Sequence, residues 1–158
     1  MMRIGTSFDF HPFKENRKFI LGGVLIDYKY GLDGVSDADC LYHSIAESIL
    51  GALALGDLGT YFKAKESKDM DSALIVKKCV EMMKEKNYKV INVDSMILLE
   101  NPKLKDYIPK MRENVSKLLE ISVDYVSIKA TTMEHCGIIG KGEGCATNTV
   151  VLLGKNDE

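Results

Sequence analysis

Asp9 and His11 stand one residue apart in Phe8-Asp9-Phe10-His11, at the end of a run from Met2 to Phe10 that reads as a β-strand. Alternate side chains of a strand share a face, so a carboxylate and an imidazole emerge side by side, and a second element must cover them. The segment with Leu41, Ile45, Ile49 and Leu53 recurring every four residues reads as a helix over residues 37–54. It carries His43, one of three histidines in the chain. A helix laid across the first strand brings this third side chain to the pair, and a carboxylate with two imidazoles and an open position is a zinc donor set. A strand histidine that satisfies a core hydrogen bond has the same spacing, so spacing alone leaves both readings open.

The rest of the chain mixes helical and strand patterns without strict alternation. Residues 19–26 read as two short strands broken at Gly22-Gly23, and residues 60–70 as a polar, mobile surface loop. A second helix carries the stripe Leu74, Ile75, Cys79, Met82 and Met83, and Asn87 caps it. Val90 to Leu99 alternates as a half-buried strand. Asn101-Pro102 opens a third helical stretch with Ile108, Met111, Val115, Leu118 and Leu119 on one face; strands follow at 126–131 and 145–153. This order predicts an α+β fold, one domain over 1–158, with helices on one face of a mixed sheet.

Composition excludes several classes of function. A formal charge of -2 leaves no nucleic-acid footprint. Cys40, Cys79, Cys136 and Cys145 form no C-x-x-C pair, which argues against a zinc ribbon or a secreted disulfide framework and for a reducing compartment. Asp9 arrives before any apolar stretch long enough for a signal peptide, and no later segment is long enough to cross a bilayer. The expectation is a cytoplasmic protein that binds neither membrane nor nucleic acid.

Other segments carry chemistry more weakly. Ser36-Asp37-Ala38-Asp39 lies at a helix start, where free N–H groups hold either a phosphate or a simple N-cap. Asp39, one turn before His43, is placed to orient the second ring nitrogen. Asp57 in Leu55-Gly56-Asp57-Leu58-Gly59 is either a turn residue or a ribose-binding carboxylate. Lys129-Ala130-Thr131-Thr132-Met133-Glu134 suits phosphate oxygens and a hard divalent cation. Gly140-Lys141-Gly142-Glu143-Gly144 precedes a strand and lacks the phosphate-loop pattern, so it reads as a tight turn.

Together these segments, with Arg3-Ile4-Gly5, Leu21-Gly22-Gly23-Val24 and Asn101-Pro102-Lys103, resemble the 2-C-methyl-D-erythritol 2,4-cyclodiphosphate synthase family in order and nearly end to end. The resemblance implies a homotrimer with sheets packed as a central β-prism and active sites between neighbours. It implies one zinc per subunit on Asp9, His11 and His43, and a second divalent ion, Mg2+ or Mn2+, held with help from Glu134. The implied substrate is a cytidine diphosphate derivative of methylerythritol whose 2-phosphate attacks the β-phosphorus and expels CMP, with Thr132 steadying the transition state. Asp9, His11, Val35 and Ser36 would face the substrate; Asp57, Leu58 and Gly59 would hold its methylerythritol part. The segment from Leu99 to Lys105, with Lys103, Leu104 and Lys105 as contacts, would form the cytidine pocket together with Ala130 and Thr131; Thr132 would also contact substrate, and Lys141 would sit near the trimer axis.

This sequence departs from the family pattern at three places. Val35 stands where the family usually has a phosphate-contacting histidine, Ser7 replaces a usual glycine, and Phe62-Lys63-Ala64-Lys65-Glu66 replaces the common Phe-Pro-Asp-x-Asp. Lys63 and Lys65 are candidates for restoring attraction to phosphate. The main expectation is an active synthase; the alternative is a weakened homologue acting as a trimeric nucleotide-binding or isoprenoid-diphosphate-binding regulatory module.

Overall fold

The structure, a computed structural model, describes residues 1–156. The elements are β1 (Met2–Lys14), β2 (Phe19–Leu21), β3 (Val24–Ile26), β4 (Gly31–Leu32), α1 (Cys40–Ala52), α2 (Leu58–Tyr61), α3 (Ser72–Glu85), β5 (Tyr88–Leu98), α4 (Ile108–Leu119), β6 (Val126–Thr131), α5 (Gly137–Gly140) and β7 (Gly144–Lys155). A five-stranded sheet runs β4-β1-β7-β5-β6. β5 and β6 are parallel, and every other pairing in the sheet is antiparallel. The α+β expectation therefore holds, with a mixed sheet.

Period-two alternation along β1 decides which side of the sheet is covered. Gly5 and Ser7 are buried under α1, whereas Ile4, Phe8 and Phe10 point away and remain exposed. On the covered face, Ile45 and Ile49 of α1, Val76 and Met83 of α3, and Met111 and Leu119 of α4 close over Ile97, Val151 and Leu153. Gly22 and Gly23, both at positive φ (58° and 70°), form the two-residue turn between β2 and β3. That geometry matches the strand twist and strongly favours glycine.

Several elements differ from the sequence reading, and four of the differences bear on the site. Helix α1 starts at Cys40 because Asp39, not Ser36, is its N-cap and accepts from Tyr42 N. The third helix starts at Ile108, where Pro109 fits a first turn whose N–H groups need no helical partner; residues 101–107 form a turn instead. The 60–70 segment is not free: it begins in α2, Asp69 N donates to Val35 O (2.8 Å), and Asp37 N donates to Met70 O (3.0 Å). The first strand continues past Phe10 to Lys14 because β7 pairs it as far as Pro12 and β4 takes over at Phe13. Asn87, at φ 63°, closes α3 through a bond from its N–H to Lys84 O, as expected.

Candidate functional site

The β1 face that carries Gly5 and Ser7 also carries Asp9 and His11, and α1 lies over it with His43. The three side chains converge. Asp9 Oδ2 is 3.0 Å from His11 Nε2 and 3.5 Å from His43 Nδ1, and the two nitrogens are 3.2 Å apart. Ligand atoms at zinc-bond length on the corners of a tetrahedron stand about 3.3 Å apart, so the spacing fits that ion. Asp9 Oδ2 is closed off from solvent and has no hydrogen-bond partner, a carboxylate oxygen aimed into the cluster. The donor set and the orphaned oxygen both call for a cation, and among the described residues this is the cluster able to hold one.

The surroundings tune the two rings differently. Burial holds His11 below the ordinary histidine value, with Asp9 pulling the other way; neutral imidazole is the metal-binding form. Burial lowers His43 too, but the negative charge of Asp9 beside the ring, with Asp39 and Asp37, outweighs it and raises the net value. The same negative field favours a metal ion in the proton's place.

His43 is oriented by residues other than the expected Asp39. Asp39 is fully buried and spends its oxygens on Gly22 N (2.9 Å), Gly23 N (2.8 Å) and Tyr42 N (3.0 Å). It ties the β2–β3 turn to the start of α1, which is the cap reading of residues 36–39 with Asp39 as the capping residue. His43 Nε2 instead faces Ser72 Oγ at 2.9 Å and Ser36 Oγ at 3.1 Å. Ser72 Oγ in turn donates to Asp37 Oδ1. A hydroxyl has one proton, so Ser72 Oγ accepts from His43 Nε2–H, which leaves the Nδ1 lone pair directed at Asp9 and His11. The sequence reading missed Ser72 because its only local signal is a helix start, 29 residues from His43.

A pocket of about 420 Å³ lies at the other edge of the sheet, lined by Leu99, Glu100, Pro102, Lys103, Leu104, Lys105, Ile108, Pro109, Ala130, Thr131 and Thr132. Of the segment expected to form the cytidine pocket, all but Asn101 lies in this wall, together with Ala130 and Thr131. The turn after β6 presents Thr132 and Glu134, both exposed. Asp57 caps α2 by accepting from Thr60 N, and Leu58 and Gly59 form the first turn of that helix. Glu47, one turn beyond His43, accepts from Leu58 N and from Ser7 Oγ, both at 3.2 Å. The serine that departs from the family pattern thus joins β1, α1 and the start of α2. Lys141 is exposed at the end of α5, and Gly142, at φ 76°, makes the tight turn into β7. Val35 is 49% exposed, and the carbonyl of its neighbour Ser36 accepts from the Arg17 guanidinium, a cation the sequence reading did not single out. Lys63 and Lys65 are exposed. Among the described residues Cys136 and Cys145 are not part of this cluster.

The YgbB family model matches residues 2–154. The chain belongs to the YgbB family. A 2-C-methyl-D-erythritol 2,4-cyclodiphosphate synthase of Brachyspira hyodysenteriae is 51% identical over 156 residues, covering 98% of this chain and 99% of the relative. The family's solved structures include the bifunctional IspDF of Campylobacter jejuni (TM-score 0.95, 36% identity), where the match covers 99% of this chain and 43% of that longer one. IspF of Plasmodium falciparum in complex with CDP aligns at TM-score 0.89 and 33% identity, covering 99% of this chain and 97% of the other. Membership of the cyclodiphosphate synthases fits a fold that presents an Asp-His-His cluster and a separate pocket. Among the described residues no helix is long and apolar enough to cross a membrane.

Proposed function

We propose that this single-domain chain converts 4-diphosphocytidyl-2-C-methyl-D-erythritol 2-phosphate to 2-C-methyl-D-erythritol 2,4-cyclodiphosphate and CMP, as a phosphorus-oxygen lyase of the non-mevalonate isoprenoid pathway. The observation that carries this reading is the coexistence of the Asp9-His11-His43 cluster and the 420 Å³ pocket in a chain 51% identical to a synthase of that name. The convergent ligand set and the relatives' shared name favour it over the regulatory alternative.

The reaction is an intramolecular phosphoryl transfer. An oxygen of the 2-phosphate forms a bond to the β-phosphorus, the bond from that phosphorus to the bridging oxygen breaks, and CMP leaves with the electron pair. Both reacting groups arrive on one ligand, so the protein orients them and balances charge. Asp9, His11 and His43 would hold zinc, which would supply Lewis-acid chemistry at the β-phosphate, and Glu134 would help hold a second divalent ion, Mg2+ or Mn2+, that would offset the charge of the diphosphate. The wall from Leu99 to Lys105, with Ala130 and Thr131, seats the cytidine. Thr132 lies beside the leaving group, and Asp57, Leu58 and Gly59 hold the methylerythritol. Ser36 and Val35 edge the phosphate site, and Lys141 sits near the trimer axis.

We read the working unit as a homotrimer. β1 and β6 are three strand spacings apart, about 14 Å, so the metal cluster and the pocket occupy opposite edges of one sheet. A head-to-tail contact between unlike edges whose rotation is one third of a turn closes into a three-membered ring, and it would bring one chain's pocket to the next chain's Asp9-His11-His43 cluster. The exposed apolar residues Ile4 (71%), Phe8 (60%) and Phe10 (36%) then face the axis. Four free cysteines support the reading of a cytoplasmic, reducing location.

The test is to incubate purified, zinc-loaded protein and Mg2+ with the cytidyl substrate and follow CMP and cyclic diphosphate by mass spectrometry. Equal amounts of both products are expected. Binding without turnover at any metal loading would favour the regulatory module.

A further inference from the structure

Glu100 stands in the wall of the pocket, yet its surroundings are unusual for a carboxylate. It lies two residues past the end of β5, and its side chain is only 6% exposed. Among the described residues it has no lysine or arginine partner. Its oxygens are taken up by one short segment: Oε2 accepts from Met133 N at 3.0 Å, Oε1 accepts from His135 N at 3.2 Å, and His135 Nδ1 stands 3.1 Å from Oε1. The bonds span 33 to 35 residues of sequence.

The segment needs such an anchor. Glu134 and His135 lie consecutively in the left-handed region, at φ 51° and 61°, a conformation that residues with a Cβ avoid and that persists only where the surroundings enforce it. Thr132 Oγ1 accepts from Glu134 N (3.3 Å), and Cys136 N donates to Met133 O (2.9 Å), but these bonds lie within the turn and do not fix it to the sheet. Glu100 does. It also lines the pocket beside Leu99 and Thr132, so one carboxylate touches the pocket wall and suspends the turn that carries Thr132 and Glu134.

We propose that Glu100 is a positioning residue: by holding the amides of Met133 and His135 it aims Glu134 and Thr132, and so sets the affinity of the second divalent ion relative to the nucleotide pocket. This rests on the role given to Glu134 above. An amide at position 100 offers one accepting oxygen where the carboxylate offers two, so Glu100→Gln frees one of the two N–H groups while nearly conserving volume.

The test uses full-length, zinc-loaded protein with CDP present and measures Mn2+ binding from the electron paramagnetic resonance signal of the free ion. Glu100→Gln is expected to weaken Mn2+ binding about tenfold, the usual scale for an outer hydrogen-bond partner. It should also speed hydrogen exchange at Met133 or His135 and leave zinc at one per chain. Glu100→Asp, which keeps both oxygens, should recover part of the loss. In a Glu134→Ala background, Glu100→Gln should weaken Mn2+ no further, because residues that act as a unit are non-additive. Unchanged Mn2+ affinity in Glu100→Gln, or losses that add in the double variant, overturns the proposal. If the unaltered protein binds Mn2+ and CDP but releases no CMP from the substrate, the synthase reading fails while the binding cycle still decides the role of Glu100.

Discussion

Replacing Gly5 with alanine puts a methyl group where β1 and α1 touch through their backbones. A Cβ at that position lies 1.9 Å from Ser48 O, 2.6 Å from Ala52 N and 2.9 Å from Ala52 Cβ, and real Cβ atoms essentially never approach within 3.0 Å. The first two are main-chain atoms, so no rotamer change relieves the contact and the helix must retreat from the strand by about 1 Å. That retreat opens the interface between the two halves of the metal cluster, because Asp9 and His11 ride on β1 and His43 on α1. Ligand distances in a working site are held within about 0.2 Å, so the shift is several times the tolerance. Overpacking of this kind costs about 1–3 kcal/mol, and the backbone contacts place Gly5→Ala toward the upper end. Zinc affinity should fall at least about tenfold, which removes about 1.4 kcal/mol from the stability that zinc adds. Urea unfolding with and without zinc measures both quantities. The control is Gly51→Ala on the same helix, where the nearest atom to the new Cβ is Thr6 O at 3.7 Å. It should stabilise by about 0.5–1 kcal/mol, the usual helix-interior preference for alanine. A Gly5→Ala protein that keeps wild-type stability and its full increment from zinc would refute the argument that this contact sets the site.

Ser72→Ala removes the closer partner of His43 Nε2 and should lower zinc affinity about 10-fold to 100-fold, toward the smaller figure because Ser36 Oγ remains at 3.1 Å; a chelator competition assay that finds no change counts against the Asp37-Ser72-His43 chain. Val35→His adds a donor where the reacting phosphates are expected, and since one such donor is worth about 10² to 10³ in rate, kcat should rise. Unchanged or lower kcat with zinc intact means the pocket is built around valine, and Arg17, Lys63 and Lys65 become the cations to vary. Phe8→Asp sets a charge on the exposed sheet face and should convert the assembly to a folded species near the 17.6 kDa chain mass in light scattering; an intact trimer would place the interface elsewhere.

The parts legible in the sequence are those set by short-range periodicity. Alternation put Asp9 and His11 on one strand face, the four-residue recurrence from Leu41 to Leu53 made α1 and placed His43 on it, and Gly22-Gly23 marked the hairpin. Ordered family motifs carried the residues of the pocket wall. The helix N-terminus misled: Asp39 at one turn from His43 looked like its partner, but a residue at the N-cap turns its side chain back onto the free N–H groups of the first turn. Residues 60–70 looked mobile because their anchors to Val35 and Asp37 are backbone bonds, which leave no mark in composition.

What the sequence alone determined, then, is the local conformation and the kinds of ligand on each face, since those follow from torsional preference and burial repeated every two or four residues. Only the tertiary structure decided which polar groups complete the site. Ser72 reaches His43 across 29 residues, Glu47 reaches Ser7 across 40, and Glu100 reaches the Glu134 turn across 33 to 35. Such pairings form because a buried hydrogen-bonding group takes whichever partner the packed layers bring near, and that partner is fixed by how α1, α3 and the sheet close on one another.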